Sequence, residues 1–569
     1  MNTYNNSIVS PRMGGHILVD QLKTHGVKHV FCVPGESYLA VLDGLYDADI
    51  NITVCRQEGG AAMMAEAYGK LNGAPGICMV TRGPGASNAM AGIHIASQDS
   101  SPLIMFVGQI ERGMREREAF QEMDYRAVFG TQTKWVTEID QVERIPEIVS
   151  RAFHVATSGR PGPVVIALPE DVLTDYASVT NTNTFSVPQM AVPHNVLNKL
   201  QELLRTSEKP VAILGGSGWN QEAVDNFVSF AERNQIAVAV QFRRQMLFPT
   251  SSPCFIGDVG LGCNPKLIEY IKSSDLVMLI GGRMSEIASQ SYTLFPIPGP
   301  KSGQSLVHIH PDITELNRVY ASSLSINTTP SEFVNTLAQA NTTSGAKKEY
   351  LKEMRNSYSL WSDPSSVVTP GELQMGKVMN YLAKQLPENT IMCNGAGNYA
   401  TWLHRFYPFN KFGTQLAPTS GSMGYGLPAA VAAKRFSPES TVVCFAGDGC
   451  FLMHGQEFAT AVQYNLPIIV LVIDNNMYGT IRMHQEMHYP GRVSATNLEN
   501  PNFAAYAKAF GGHGETVIKT EEFAPAFERA LSSNKPAIIH CMIDPDAISP
   551  STTLSRLREQ AQNSNSINS

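Results

Sequence analysis

Short apolar runs alternate with longer amphipathic segments along most of the 569-residue chain. In the first third, the runs at 27–33, 77–80, 103–107 and 164–167 each lead into a turn that contains glycine or proline. Regular alternation of strand-like and helix-like segments is typical of a doubly wound parallel sheet. Glycine just past each strand allows the sharp turn that such a sheet needs at its ligand-binding edge.

This pattern occurs three times, and two polar stretches at 175–195 and 340–370 separate the repeats. A chain of 569 residues is also too long for one hydrophobic core. We therefore predict an α/β fold with three doubly wound parallel-sheet domains. Their predicted bounds are 1–175, 195–340 and 370–548, followed by a polar tail at 549–569 that begins with a helical pattern.

The composition argues against several classes of protein. The net charge is −7, so we expect no basic surface that would bind nucleic acid. The nine cysteines are scattered without a C-x-x-C pair, as expected of reduced thiols in the cytoplasm. The first residues are polar, and no run approaches 18 apolar residues, so we expect neither a signal peptide nor a membrane span. The expected location is cytoplasmic.

Two polar clusters follow neighbouring apolar runs near the end of the chain. A Gly-Asp-Gly motif at 447–449 closes one run, and Asn475 follows the next run at 468–473. The residues between them, 451–465, have the pattern of an amphipathic helix. Because the carboxyl ends of parallel strands share one sheet edge, Asp448 and Asn475 are expected to meet there. Their oxygens suit Mg²⁺ that also holds a phosphate group, whereas either cluster alone is also an ordinary turn.

The pair resembles the diphosphate signature of thiamine-diphosphate enzymes, a GDG motif followed at this spacing by NN. Here it reads GDGCFLMHGQEFATAVQYNLPIIVLVIDNNMYG. The resemblance implies thiamine diphosphate and Mg²⁺ as cofactors, with Asp448, Asn475 and the carbonyl of Met477 as metal ligands. The same signature implies cofactor contacts from Gly447, Gly449, Cys450, Tyr478 and Gly479.

Glu58 opens a segment rich in alanine and methionine just after an apolar run. An acidic first-turn residue favoured by the helix dipole is the ordinary interpretation. The segment also resembles the family's catalytic-glutamate motif, R-x-E-x-x-A-x-x-x-A-x-x-Y/W, at every position. That resemblance implies that Glu58 hydrogen-bonds the aminopyrimidine ring of the cofactor and drives it to the imino tautomer. A carboxyl group partly shielded from water suits this role.

Further segments fit the same family. Met423 lies in a glycine-rich segment similar to M-G-F/Y-G-x-P-A-A, which implies an apolar wedge that bends the cofactor. Asn398 and Tyr399 stand where acetolactate synthases carry a Gln-His pair, which is a departure from their pattern. The remaining cofactor-binding residues that the resemblance implies are Pro34, Gly35, Gly395, Gly397, Gly421 and Ser422.

The segment around Phe120 and Gln121 places the chain closest to acetolactate synthases. With Lys134-Trp135 it is similar to their A-F-Q-E-x-D … K-W/H pattern. The resemblance implies that Gln121 touches the bound acyl group with Phe120 beside it. It implies a carboligase of branched-chain amino acid biosynthesis, which decarboxylates a 2-oxo acid, with pyruvate as expected donor, and adds the acyl unit to a second carbonyl compound. The His-His pair of simple decarboxylases is missing from the corresponding region, which favours carboligation.

Two departures keep another thiamine-diphosphate lyase or decarboxylase open, of the oxalyl-CoA, sulfoacetaldehyde or benzoylformate type. Arg82 replaces a small residue and is a candidate for binding a substrate carboxylate or sulfonate, or else a salt-bridged surface arginine. His484 stands near the position of the synthases' specificity tryptophan and is a second candidate substrate contact. A non-enzymatic subunit would be expected to lack Glu58 or Asp448, and both are present.

The resemblance names the three domains pyrimidine-binding, central and diphosphate-binding. Gly215-Gly216, Gly282-Arg283 and Asp312 match the central region that holds FAD in acetolactate synthases and ADP in oxalyl-CoA decarboxylases. FAD, ADP and an empty domain all remain open. In the family, the catalytic glutamate and the metal ligands of one site come from two subunits, which implies a homodimer or homotetramer.

Overall fold

The computed structural model describes residues 10–567. They fall into two compact units, one up to Pro188 and the other from Gln189 onward. The first unit contains one six-stranded parallel sheet and the second contains two, with helices packed on them. The predicted α/β fold with three doubly wound sheets is therefore confirmed, while the predicted domain bounds stay a prediction.

The sheet of the first unit has the order β3-β2-β4-β5-β7-β6, and a small antiparallel pair, β1 with β8, lies outside it. Its central strands are buried along their whole length, so they are continuous apolar runs without alternation. The strands are β1 Arg12–Met13, β2 His29–Cys32, β3 Asn51–Val54, β4 Gly76–Val80, β5 Leu103–Gln109, β6 Trp135–Glu138, β7 Pro163–Pro169 and β8 Tyr176–Ala177. The helices are α1 Gly14–Thr24, α2 Leu39–Tyr46, α3 Glu58–Asn72, α4 Gly83–Asp99, α5 Tyr125–Phe129, α6 Ile145–Thr157 and α7 Glu170–Thr174.

The middle sheet has the order β11-β10-β9-β12-β13-β14. The chain starts at β9, in the centre, and the winding direction reverses between β9 and β12. The strands are β9 Pro210–Leu214, β10 Ala237–Gln241, β11 Phe255–Val259, β12 Leu276–Ile280, β13 Ser305–His310 and β14 Leu324–Asn327. The helices are α8 His194–Thr206, α9 Gln221–Asn234, α10 Pro265–Ser273, α11 Pro330–Gln339 and α12 Lys348–Trp361, the last within the stretch predicted to be a linker.

The C-terminal sheet has the order β16-β15-β17-β18-β20-β19. Its strands are β15 Ile391–Asn394, β16 Gln415–Leu416, β17 Val442–Gly447, β18 Ile469–Asp474, β19 His513–Val517 and β20 Ala537–Met542. The helices are α13 Met375–Gln385, α14 Ala400–Phe406, α15 Gly426–Phe436, α16 Asp448–Leu452, α17 Phe458–Gln463, α18 Gly479–His488, α19 Phe503–Ala509, α20 Thr520–Ser532 and α21 Leu554–Ile567.

The single helix predicted for 451–465 is wrong. The structure has α16 and α17 there, with a 3₁₀ turn at Gly455–Glu457 between them. A Cβ on Gly455 would lie 2.9 Å from the Phe451 ring, so the chain packs on that ring where the helix is interrupted. The tail predicted at 549–569 contains α21, which packs on α18.

Among the residues that the structure describes, none of the nine cysteines forms a disulfide, and eight of them are buried. Over the part of the chain that the structure describes, no helix has the length and apolar character needed to cross a membrane.

Candidate active site

The carboxyl edge of the C-terminal sheet opens into a cavity of about 370 Å³. Most of the predicted cofactor-binding residues of this region line it, and the loops after β15, β16, β17 and β18 supply them. These residues are Gly397, Asn398, Tyr399, Gly421, Met423, Gly447, Asp448, Gly449, Cys450, Asn475, Met477, Tyr478 and Gly479. Gly395 is not among the lining residues, and a Cβ at this position would meet the sulfur of Cys450. Ser422 is not among them either, and its hydroxyl donates to the carbonyl of Met423.

Asp448 is the first residue of α16, and only 3% of its surface is exposed. Burial raises the pKa of its carboxyl to about 6. Asn500 Nδ2 donates to Asp448 Oδ2 at 2.8 Å and to Asp474 Oδ1 at 2.9 Å. One amide therefore holds two buried carboxylates at the sheet edge.

Asp474, the last residue of β18, is tied to the sheet from the other side. Its Oδ2 lies 2.8 Å from His540 Nε2 on β20. Burial acts to raise the pKa of Asp474, but hydrogen bonds from His540 and from backbone and amide donors outweigh it, so the pKa is lowered. The supporting roles of Asn500, Asp474 and His540 were not predicted from the sequence. The one feature of the sequence that could have pointed to Asp474 is its position directly before Asn475.

The loop after β18 is fixed by backbone contacts. Met477 forms an antiparallel bridge with Asn497, and the Tyr478 N–H donates to the Thr496 carbonyl at 2.9 Å. A Cβ on Gly479 would lie 3.0 Å from Asn475 Nδ2, so this glycine lets the amide pack against the start of α18. Asn475 and Met477 thereby line the same cavity as Asp448.

The glycines around Asp448 lie against aromatic rings. A Cβ would lie 2.7 Å from the Tyr399 ring if placed on Gly447, and 2.7 Å from the Tyr478 ring if placed on Gly449. The Tyr399 hydroxyl donates to Cys450 Sγ at 3.2 Å, and burial raises its pKa, so it remains a donor. The two glycines thus let the loops after β15, β17 and β18 pack closely, because a side chain at either position would clash with a tyrosine ring.

The corresponding edge of the first unit contains Glu58. This residue begins α3, is half-buried, and accepts a hydrogen bond from Asn88 Nδ2 at 2.9 Å. Gly85, in the first turn of α4, lies so close that its Cβ would be 3.3 Å from Glu58 Oε1. Glu58 therefore sits between the starts of two helices at the end of the sheet.

Other predicted residues of the first unit lie at the same edge. The Gly83 N–H donates to the Gln121 carbonyl at 3.1 Å, and Gln121 has a left-handed backbone with φ 64°. Phe120 is 72% exposed, so nothing within its own unit covers the ring. Gly35, after Pro34, packs on Thr81, where a Cβ would lie 2.5 Å from the threonine Cβ.

The two candidate substrate contacts lie in different surroundings. Arg82 is buried, and its guanidinium lies 2.6 Å from Glu170 Oε2 and 3.7 Å from Glu36 Oε1. These contacts favour the salt-bridged alternative for Arg82. His484 is exposed on α18 and stacks on His488, and it is not among the residues that line the cavity.

The middle sheet contributes to the cavity wall, which sequence analysis did not predict. Phe242 and Arg243, just after β10, and Leu261, after β11, line the cavity together with the C-terminal loops. No motif marked these residues, because the prediction for this sheet concerned its own glycine loops. Arg243 places a guanidinium in a wall that is otherwise mainly apolar.

The crevice between β9 and β12 is occupied by a side chain of the protein itself. Gln241 Oε1 lies 2.0 Å and 2.2 Å from the positions that a Cβ would take on Gly215 and Gly282. Its Nε2 donates to the Arg283 carbonyl at 2.7 Å. His308 Nε2 lies 3.0 Å from the carbonyl of the same Gly282.

The fold and the site define a thiamine pyrophosphate enzyme, and comparison with known families agrees. Residues 12–128 match the N-terminal TPP binding domain of thiamine pyrophosphate enzymes, 197–337 the central domain and 395–541 the C-terminal TPP binding domain. The resemblance stated from the sequence is thereby confirmed.

Full-length relatives are acetolactate synthase large subunits. Isozyme 2 of Escherichia coli K12 is 28% identical over 534 residues, which cover 93% of this chain and 95% of the relative. The probable large subunit of Methanocaldococcus jannaschii is 30% identical over 549 residues, covering 94% and 92%. The large subunit of Lactococcus lactis is 30% identical over 549 residues, covering 94% and 93%. The chain belongs to this family of thiamine pyrophosphate enzymes.

Proposed function

We propose that this chain is the catalytic subunit of an acetolactate synthase-type carboligase. One pyruvate loses its carboxylate as CO₂, and the two-carbon unit forms a carbon–carbon bond to the carbonyl carbon of a second 2-oxo acid. The carbonyl oxygen of the acceptor takes up a proton, so two pyruvates and one proton give acetolactate and CO₂. The observation that carries this proposal is the similarity to acetolactate synthase large subunits along nearly the whole chain. The decarboxylase and lyase alternatives are not favoured by it.

The cavity of the C-terminal sheet has the chemistry needed for a magnesium-held diphosphate. The carboxylate of Asp448, the carboxamide of Asn475 and the carbonyl of Met477 are hard oxygen ligands in one wall. A divalent cation there would offset the cost of burying Asp448. Gly447 and Gly449 line the same cavity, and because they have no side chains a phosphate group could approach their backbone closely. When bound, thiamine diphosphate supplies a thiazolium carbon that stabilises the electron pair released by decarboxylation.

Glu58 is proposed to act on the pyrimidine end of the cofactor. Its half-buried carboxylate is oriented by Asn88, so it can hold a proton at a fixed position. We propose a homodimer or homotetramer in which Glu58 of one chain serves the cofactor held by its partner. Gln121 and Phe120 are proposed to contact the acyl group, while Arg82, held by Glu170, is proposed to stabilise the first unit. A cytoplasmic location remains a prediction.

A flavin in the middle sheet is not supported by the residues present. In sheets of this topology, nucleotides bind at the point where the strand order reverses. Gln241 fills that crevice between Gly215 and Gly282. We infer that the middle domain holds no nucleotide between these two loops, and a flavin absorption spectrum from the purified protein would contradict this.

The direct test is to incubate the purified protein with thiamine diphosphate, Mg²⁺ and pyruvate and to identify the products. Acetolactate and CO₂ are the expected products. Acetaldehyde without acetolactate would favour a simple decarboxylase, and no consumption of pyruvate would contradict the proposed donor. Omitting Mg²⁺ in the presence of a chelator serves as the control and should abolish turnover, because the diphosphate then lacks its proposed metal bridge.

A further inference from the structure

Two histidines on α18 have no part in the proposed catalytic chemistry. His484 and His488 are four residues apart, so they project from the same face of the helix, one turn from each other. Their rings are parallel to within 3°, and the ring centres lie 6.1 Å apart. Both residues are exposed, and neither lines the cofactor cavity.

The opposite face of α18 attaches this helix to the protein. Arg482 and Glu486 are also four residues apart, and both are buried. Arg482 donates to Thr496 Oγ1 at 2.8 Å and to Asn497 Oδ1. Glu486 accepts two hydrogen bonds from Arg558, at 2.6 Å and 2.8 Å. The backbone that carries the two histidines is therefore held on its inner side, while their own side chains remain free to rotate.

The geometry of the two imidazole rings suits a shared metal ion. A metal bonds an imidazole nitrogen at about 2.0–2.1 Å, so two rings on one tetrahedral ion have their centres roughly 5 Å apart. From 6.1 Å the rings need to approach by about 1 Å, which small rotations of exposed side chains achieve. Neither ring is hydrogen-bonded to another described residue, so this movement breaks no such contact.

The position of the pair along the helix also favours a cation. His488 is the last residue of α18, and His484 lies one turn before it. The carboxyl end of a helix carries a partial negative charge from its unpaired carbonyl groups. A positive ion between the two rings is therefore stabilised by the helix itself.

We propose that His484 and His488 together bind one divalent transition-metal ion of the class of Zn²⁺, Ni²⁺ and Cu²⁺. Imidazole nitrogen is a suitable ligand for these ions, whereas Mg²⁺ prefers oxygen. Histidines at positions i and i+4 of a helix form part of known zinc sites. No group of three or more histidine, cysteine, aspartate or glutamate residues in the described part of the chain forms a metal site, so water completes the coordination.

This site is separate from the magnesium site proposed at Asp448, and it does not rest on the proposed carboligase function. Its affinity depends on the pair. Once one imidazole has bound the ion, the rigid helix presents the other at a high effective concentration. A single exposed histidine has no such second ligand and binds the same ion more weakly.

The direct test is calorimetric titration of Zn²⁺ into the protein with thiamine diphosphate and excess Mg²⁺ present, which occupy the proposed oxygen site. The wild type should bind one Zn²⁺ per chain at α18. His484→Gln and His488→Gln should each weaken this binding by at least about 10-fold, because even residues that only support a metal ligand have effects of about 10- to 100-fold. Absence of Zn²⁺ binding in the wild type would overturn the proposal.

The double variant, with both substitutions, distinguishes a shared ion from two separate ones. If one ion bridges the two rings, each single variant loses nearly all of the binding and the double variant loses little more. If each histidine binds an ion of its own, the stoichiometry falls in two equal steps, and the proposal is overturned. Both side chains are exposed, so all three variants should fold, which thermal unfolding without Zn²⁺ verifies.

His194→Gln is the matched control. His194 is an exposed histidine at the start of α8, and the residue one turn further along is Asn198. This variant should bind Zn²⁺ as the wild type does, and an equal loss in His194→Gln would assign the binding to scattered surface histidines and overturn the proposal. Raising the Mg²⁺ concentration should not displace Zn²⁺, since displacement would indicate oxygen ligands instead of imidazole.

Discussion

The first and the last sheet of this protein share one topology and carry different chemistry. Numbered within each sheet, both have the strand order 2-1-3-4-6-5. The turn after the third strand contains Arg82 in the first sheet and Asp448 in the last. After the second strand, the first sheet presents Glu58 and the last presents the loop with Met423. Equivalent positions of one fold thus hold opposite charges.

The two edges also differ in how their charges are balanced. Arg82 is paired with a carboxylate of its own unit, Glu170. Asp448 receives an amide hydrogen bond from Asn500 and faces a cavity that has room for a cation. Strand order therefore determines where a ligand can bind, while the balance of charge at each loop determines what the edge can do. Four substitutions test this difference between the two edges.

The largest effect is expected for Glu58→Gln. The amide keeps the shape and the contact with Asn88 but cannot exchange a proton, so turnover should fall by on the order of 10² or more. Calorimetry should show nearly unchanged binding of thiamine diphosphate. Glu202→Gln, an exposed glutamate paired with Arg205 on α8, is the control. Wild-type turnover in Glu58→Gln would remove the catalytic role from the first sheet.

Asp448→Asn should act on cofactor affinity. Loss of a charged metal ligand is expected to weaken thiamine diphosphate binding in the presence of Mg²⁺ by at least about 10- to 100-fold. Substitutions of residues that only support a metal ligand already have effects of this size. The measurement is calorimetric titration of the cofactor at several Mg²⁺ concentrations. If the affinity for thiamine diphosphate did not depend on Mg²⁺ in the wild type or in Asp448→Asn, a metal site at the last sheet would be contradicted.

Arg82→Gln should destabilise the protein without weakening the binding of the cofactor. It leaves Glu170 without its closest cation, and we expect a loss of about 1–3 kcal/mol in the free energy of unfolding. Chemical denaturation measures this loss, and the KM for pyruvate should stay close to that of the wild type. A raised KM in a protein of normal stability would restore the substrate-binding alternative for Arg82.

The smallest effect concerns Glu486 on α18, the helix whose first residues line the proposed cofactor cavity. Its hydrogen bonds with Arg558 on α21 lower the pKa of this buried carboxyl. Because the pKa of Glu486 in the folded protein lies below its unfolded value of 4.5, this carboxylate stabilises the folded state at pH values above 4.5. The stabilisation is lost as the pH falls through the folded pKa. Arg558→Gln should therefore cost roughly 1 kcal/mol at pH 7, since the arginine is partly exposed, and less in acid. If Arg558→Gln lowered the thermal stability equally at pH 7 and in acid, the proposed contribution of the Arg558–Glu486 ion pair would be contradicted.

Much of the fold could be predicted because its signal is local. Each buried strand is a continuous apolar run and many of the turns that follow contain glycine or proline, so the three sheets could be predicted from the sequence pattern. The residues proposed to bind the metal also lie in contiguous motifs, and the structure brings Asp448 and Asn475 into one cavity. The exceptions were 451–465, where Gly455 interrupts the predicted helix, and 340–370, where α12 lies in the predicted linker.

Contacts between distant segments could not be predicted in this way. Asn500 reaches Asp448 from 52 positions away, and Arg82 reaches Glu170 from 88. Gln241 closes a crevice that the glycine motifs had left open to a nucleotide. In each case a polar side chain finds its partner only after the sheets are packed.

The amino-acid sequence was enough to predict the three α/β sheets, the family and the local motifs, because each depends on neighbouring residues whose spacing is visible along the chain. The folded protein was needed to show that Arg82 is held by an ion pair, that Asn500 supports Asp448, and that Arg243 of the middle domain lines the cavity. This is because the strength of a charge or a hydrogen bond depends on burial and on partners, and folding brings both from remote parts of the chain.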